Sequence, residues 1–477
     1  MQQSFIRNLA FLLFLNILVK PFWILGVNVG VQNAVGPEGY GVYFTVLNLS
    51  YIFQIVLDIG IQNYNNRNVA QDPEFYRNHF ANMALLKLIL GVVYMVLLYG
   101  IGYGIMHYDA FYLYLLSIVG LNLFLNSFLL FLRSNLGGLH LFKWDSVASI
   151  ADRVLMIAIC GYLLWFQESQ FQIEWFAWAQ TASYVVTILF LWGVLLVQAG
   201  KIQLRFEVGV IKNIAQKSLP FALLGLIMSA YSRIDGVMLE SMHAEGALEA
   251  GIYAQGYKLY EAATMISFLF SSLLLPMFSR QIAEKLDVRP LVKLASKTLM
   301  IPVFILVVAS FTFQSTISEV MFTNQVDETA GVLGLLMIVL IPVSTLYIYG
   351  TLLTANGNLR LLNVTSLIGL IANVIINASL IPEYGAWGAA IATMVTQFAV
   401  MLLQFGKAWK IFEISISKQS ILKLLIFMLI STGSAWVAHH LGYQTLISAV
   451  AYIISMILLA FIFRIIDIKE VFRLMKS

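Results

Sequence analysis

"LPFALLGLIMSAYSRIDGVMLE", residues 219–240, is an apolar run of membrane-spanning length that carries Arg233 and Asp235 inside it. A helix crosses the hydrocarbon core with roughly 20 predominantly apolar residues, and a charge at its centre costs about 2.5–3.5 kcal/mol on insertion scales. A segment of this kind is a membrane helix whose charged face meets protein interior or water. Arg233 and Asp235 stand two positions apart and do not readily share a helix face, so at least one needs a partner on another helix.

The rest of the chain has the same character. Of 477 residues, 60% are hydrophobic and only 11% charged, where soluble domains carry about 25% charge. The composition defines a polytopic all-α membrane protein. Its one cysteine, Cys160, lies in the apolar run "VLMIAICGYLLW", which excludes an intramolecular disulfide and a cysteine-based metal site. No P-loop pattern occurs, so ATP is not bound in that way. The first apolar segment, Leu9 to Val31, is longer than a signal-peptide core and reads as a retained anchor.

Hydropathy predicts about fourteen crossings of roughly 20 residues each. They are 8–32, 40–65, 80–104, 110–135, 145–166, 174–198, 216–239, 248–277, 295–317, 329–354, 360–380, 386–408, 419–440 and 443–465. Lys and Arg outside these spans gather in connections such as "KIQLRFEVGVIKNIAQK" and "SRQIAEKLDVRPLVKLASK". The alternate connections are short and acidic. By the positive-inside rule both termini are cytoplasmic, and the net charge of +4 expresses topology, with no nucleic-acid partner implied.

The two halves repeat one another. "SNLGGLHLFKWDSVASIADRV" from 134 aligns without gaps to "TANGNLRLLNVTSLIGLIANV" from 354, pairing Gly137 with Gly357 and Ser146 with Ser366. "GYGVYF" at 39 likewise pairs with "EAGIYA" at 249. Repeats of six helices keep the same orientation and are related by an axis along the membrane normal. The expected product is two pseudo-symmetric lobes, 1–205 and 206–412, around a central cavity, with two further helices in 413–477.

Six charges fall well inside the predicted spans: Lys20, Asp58, Arg233, Asp235, Lys258 and Glu261. They occupy helices 1, 2, 7 and 8, the equivalent helices of the two repeats. At 1.5 Å per residue, Lys20 and Arg233 come about 18 and 26 Å from the inner side and Lys258 about 15 Å from the outer side. Helix 2 presents Asn48, Tyr51, Gln54, Asp58 and Gln62 at spacings of three or four, and helix 8 presents Tyr253, Tyr257, Tyr260, Glu261 and Thr264. Both sets read as polar stripes facing water or ligand. Lys20, Arg233 and Lys258, with Asn48, Gln54 and Tyr257, are the expected substrate-binding residues. Asp58, Asp235 and Glu261 would balance charge or couple transport to Na⁺ or H⁺. Interhelical hydrogen bonding, or a local Lys258–Glu261 pair, is the plainer account of any one of them. No metal site or cofactor is expected.

"GPEGYGVYFTVLNLSYIFQIVLDIGIQNYNNRNVA" at 36–70, "RIDGVMLESMHAEGALEAGIYAQGYKLYEAATMISFLFSSLLLPMFSR" at 233–280 and "SLIPEYGAWGAAIATMVTQF" at 379–398 resemble the polysaccharide-exporter branch of the multidrug/oligosaccharidyl-lipid/polysaccharide superfamily. The resemblance implies a two-lobed flippase, not an enzyme, in the bacterial cytoplasmic membrane. Its cargo would be a lipid-linked oligosaccharide, commonly on undecaprenyl pyrophosphate, used for O-antigen, capsule or exopolysaccharide assembly, with polysaccharide-assembly proteins as possible partners besides the membrane lipids. It also implies that the cations engage the anionic headgroup. O-antigen flippases of that branch have twelve helices, two fewer than are read here, whereas helix 1 lacks the arginines expected of a lipid II flippase. A drug or cation antiporter of the same fold is the second reading, kept open by the carboxylates. A membrane-bound polymerase or ligase is the third, opposed by the short outer connections.

Overall fold

The computed structural model describes residues 19, 21–166, 170–199, 208–414, 418–442 and 445–462. Every regular element among them is a helix, because inside a bilayer each backbone N–H and C=O must find its partner within the segment. A π-helical turn, Phe22–Asn28, leads into α1, Val29–Ile52, which is followed by a 3₁₀ turn, Gln54–Leu57. Then come α2, Ile61–Gln71; α3, Pro73–Gly104; α4, Ala110–Gly138; α5, Phe142–Phe166; and α6, Ile173–Ala199. After these come α7, Val208–Met242; α8, Gly246–Ala283; α9, Arg289–Thr312; α10, Gln314–Met321; and α11, Val326–Ala355. The last are α12, Leu359–Ile411; α13, Lys418–His440; and α14, Leu446–Ile462. Among the described residues, eight helices are long and apolar enough to cross a membrane.

Helices and predicted crossings do not correspond one to one. Crossings 1 and 2 meet inside α1, where Gly36 takes φ 74° ahead of Pro37, and crossings 11 and 12 meet inside α12 at Gly385, φ 49°. Both kinks use a positive φ, which only glycine enters without strain. Crossing 3 starts earlier than hydropathy indicates. The Asp72 carboxylate accepts from the Glu74 N–H at 2.9 Å and Pro73 occupies the first turn, so α3 begins at 73 and not at 80.

The chain divides into two compact units, residues 1–241 with 245–251, and residues 242–244 with 252–477. The lobe boundary expected at 205/206 lies outside the described residues, as do both termini and Lys20. In the first unit Tyr76, Phe80, Met83, Phe131, Leu132, Leu136 and Leu191 form one buried cluster. The opposite face of α3 is apolar but exposed, through Leu88, Val92, Val96, Tyr99 and Tyr103 at near-helical spacing. That is the pattern of a helix with protein on one side and lipid on the other. In the second unit α13 and α14 pack on α9 through Ile301, Ile305, Phe313, Phe427, Tyr452 and Met456. The connection between α8 and α9 carries Asp287, whose carboxyl is held below the usual carboxylate range by hydrogen bonds from the Arg289 guanidinium, at 2.8 Å, and from the Arg289 N–H.

The repeated glycines have a shared physical purpose. A methyl group built on Gly41 would lie 1.7 Å from the Ala247 carbonyl oxygen, and one on Gly251 would lie 1.8 Å from the Pro37 carbonyl oxygen. Gly41 and Gly251 are equivalent in the repeat, and so are Pro37 and Ala247, so this backbone-to-backbone crossing is pseudo-symmetric. Because backbone cannot yield as a flexible side chain does, Gly251→Ala is expected to cost about 1–3 kcal/mol by overpacking. The check is thermal unfolding of the purified protein. An unchanged midpoint would mean that the two backbones separate freely.

Candidate functional site

The stripe expected along helix 2 does not exist as a single helical face. The α-helix ends at Ile52, Asp58 is non-helical at φ −148° and ψ 74°, and Gly60 is left-handed at φ 96° before α2 begins. The break separates the predicted residues by role. Asn48 is buried and donates to the Phe44 carbonyl at 2.7 Å, while Gly236 of α7 packs so closely that a methyl group there would come 2.6 Å from the Asn48 amide nitrogen. The Thr45 hydroxyl donates to the Gly236 carbonyl at 3.2 Å. Asn48 thus lies in the seam between α1 and α7, while Gln54, Asp58 and Gln62 cluster at the break.

The break is held by a charge that hydropathy placed elsewhere. Lys87 of α3 is 1% exposed, and its ammonium donates to the Leu57 carbonyl at 2.8 Å, to Asp58 Oδ1 at 3.1 Å and to Ser127 Oγ at 2.8 Å. The Gln62 N–H also donates to Asp58 Oδ1, at 3.2 Å. With a predicted start at 80, Lys87 reads as a residue near the cytoplasmic end. From the observed start at 73 it stands about 21 Å along the helix. Charges also lie inside α5, where Asp152 is buried and Arg153 lies 3.7 Å from it. Arg153 also sits 5.5 Å from the Trp23 ring centre and hydrogen-bonds to Tyr184. Charges inside the spans are therefore not confined to helices 1, 2, 7 and 8. The usable signal was helix capping at Asp72–Pro73, which moves the depth scale of every residue behind it.

Arg233 of α7 stacks its guanidinium 4.6 Å over the Tyr51 ring, a cation–π arrangement that offsets part of the cost of placing the charge there. One turn earlier, the Ser229 hydroxyl donates to the Tyr51 carbonyl at 2.7 Å. Asp235 is buried. In the second unit Lys258 and Glu261 form an ion pair of 2.9 Å one turn apart on α8, with side chains 13% and 33% exposed. The tyrosines of α8 make a ladder, Tyr253 stacked on Tyr257 and Tyr257 tilted against Tyr260, each at 5.7 Å. Each unit thus presents a cation supported by aromatic rings or a carboxylate on its own helices.

All-helical among the described residues, with glycine kinks, repeated halves and partly buried cations, the chain has the architecture of a polytopic membrane protein. Solved structures agree on the fold. Over 95% of this chain and 98% of the other, it superposes on the lipid II flippase MurJ, inward closed conformation, with TM-score 0.73 at 14% identity. It superposes on an inward-facing multidrug resistance MATE family transporter of the MOP superfamily with TM-score 0.62 at 17% identity, covering 84% of this chain and 99% of that one. An uncharacterized membrane protein of Methanocaldococcus jannaschii, MJ1375, is 24% identical over 389 residues, covering 77% of this chain and 89% of that protein. Residues 5–282 match the polysaccharide biosynthesis protein family, and the chain belongs to that family.

Proposed function

We propose that this protein flips a lipid-linked oligosaccharide, carried on a polyprenyl pyrophosphate, from the cytoplasmic to the outer leaflet of a bacterial cytoplasmic membrane for surface polysaccharide assembly. The observation that carries the reading is Arg233, a guanidinium at membrane depth stacked on Tyr51 in a chain of the polysaccharide biosynthesis family. A diphosphate sheds water to cross and needs fixed cations in its place; Arg233 and Lys258 supply them from the described residues, and Lys20 is the third expected from the sequence. The protein would work by alternating access, coupled to Na⁺ or H⁺. The antiporter reading needs carboxylates available to a cationic cargo. Asp58 and Glu261 already hold lysine ammonium groups, which favours the anionic cargo.

The test is transfer of an undecaprenyl-pyrophosphate-linked sugar between leaflets in proteoliposomes. Protein-dependent transfer supports the proposal, and efflux of organic cations without it would replace the proposal by the antiporter. Reversal of Lys258 discriminates further. Lys258→Glu sets a second carboxylate against Glu261, where the ammonium now lies 2.9 Å away, and repels the diphosphate as well. Lys258→Glu is therefore expected to lower surface polysaccharide more than Lys258→Ala, with membrane abundance measured in parallel.

A further inference from the structure

A pocket of about 320 Å³ opens at the break in helix 2, lined by Gln54, Asp58, Gln62, Ser127, Gly225 and Ser229 together with the side chains of Ile55 and Leu130. We propose that this pocket binds one neutral sugar residue of the cargo, the one next to the headgroup. The inference rests on the flippase reading and specifies which part of its substrate is recognised where.

The argument is one of donors and acceptors. An ammonium has three protons, and those of Lys87 go to the Leu57 carbonyl, Asp58 Oδ1 and Ser127 Oγ. No cationic donor remains to attract an anion into the pocket, and the Lys87 ammonium on Asp58 offsets the attraction of that carboxylate for a cationic ligand. Asp58 nevertheless keeps its second oxygen without a hydrogen-bond partner among the described residues, on a side chain 25% exposed. The Gln54 and Gln62 side-chain amides likewise have no partner among the described residues and line the same space. The pocket thus offers a charge-neutralised carboxylate oxygen as acceptor, and two amides that donate and accept, beside apolar walls. Hydroxyls on a pyranose ring, each able to donate and accept, complete that set. Small-ligand sites run from about 300 to 1,000 Å³, so this volume suits one sugar rather than a chain.

The position agrees with the chemistry. Ser229 precedes Arg233 by one helical turn, about 6 Å, and Gly225 precedes it by about 12 Å. A phosphate against Arg233 therefore brings the sugar esterified to it to the mouth of the pocket. The tight contact of Gly225 with Ile55, 2.7 Å from a methyl group built on the glycine, keeps α7 against the break and closes one wall.

The test uses the full chain in lipid nanodiscs, with glucose 1-phosphate, N-acetylglucosamine 1-phosphate and inorganic phosphate as probes. At least one sugar phosphate is expected to bind about tenfold more tightly than inorganic phosphate, and the uncharged, similarly sized double variant Gln54→Met/Gln62→Met is expected to abolish that advantage while leaving phosphate affinity in place. Gln54→Ala alone should lose part of it, which guards against a double variant that does not fold. Sugar phosphates that bind no better than phosphate, an advantage that survives the double variant, or no binding of any probe would each overturn the pocket assignment. Failure of the flippase reading looks different: phosphate affinity untouched by Arg233→Ala.

Discussion

Replacement of Arg233 by alanine is expected to reduce surface polysaccharide at least about tenfold while the protein remains at near-normal level in the membrane. The reasoning is electrostatic. A unit charge acts on a diphosphate several times more strongly at a protein-lined site than in bulk water, and the guanidinium, 4.6 Å over Tyr51, has its orientation set before the ligand arrives. Arg233→Lys keeps the charge but loses the planar fork and the stacking, so partial export is expected. The truncation leaves the seam between α1 and α7 intact, because that seam is made by Gly236, Thr45 and Asn48, and abundance should hold. Export quantified from surface polymer, with abundance measured in the same cells, gives the answer. Normal export from Arg233→Ala would remove the anionic-headgroup mechanism.

The second large effect is on stability and belongs to Lys87. Lys87→Met is expected to destabilise the protein by about 3 kcal/mol, the lower end of what breaking a buried ion pair by removing one partner costs. The low end applies because Asp58, at 25% exposure, can recruit water once its ammonium is gone. The Leu57 carbonyl and Ser127 lose a donor at the same time. Asp58→Asn should also destabilise, since the ammonium, 1% exposed, keeps an amide oxygen as acceptor but loses its counter-charge. The combination Lys87→Met/Asp58→Asn should recover much of the loss, because it leaves no uncompensated charge. Thermal unfolding of the three purified variants decides the matter, and a Lys87→Met protein as stable as its parent would show that the pair does not hold the break.

The sequence by itself determined the membrane class, the helical content, the repeat and the family resemblance. Each of these depends on quantities that are local or periodic. Apolar length decides that a segment crosses, and "GYGVYF" against "EAGIYA" marks equivalent backbone positions whether or not they touch. It also placed Arg233 and Lys258 inside apolar spans, because a charge in an apolar run announces its own cost. Tertiary structure decided the partners. Gln54, Asp58 and Gln62 fit a helical stripe on paper, yet a break through Asp58 and Gly60 brings them around a pocket, and the cause is an ammonium about 30 positions later in the chain. Hydropathy misplaced that ammonium because a stretch of polar residues before position 80 reads as loop, whereas the Asp72–Pro73 cap starts a helix there. Depth along a helix depends on where the helix begins, and the partner of a buried charge depends on which helices pack together. A one-dimensional hydropathy profile contains neither.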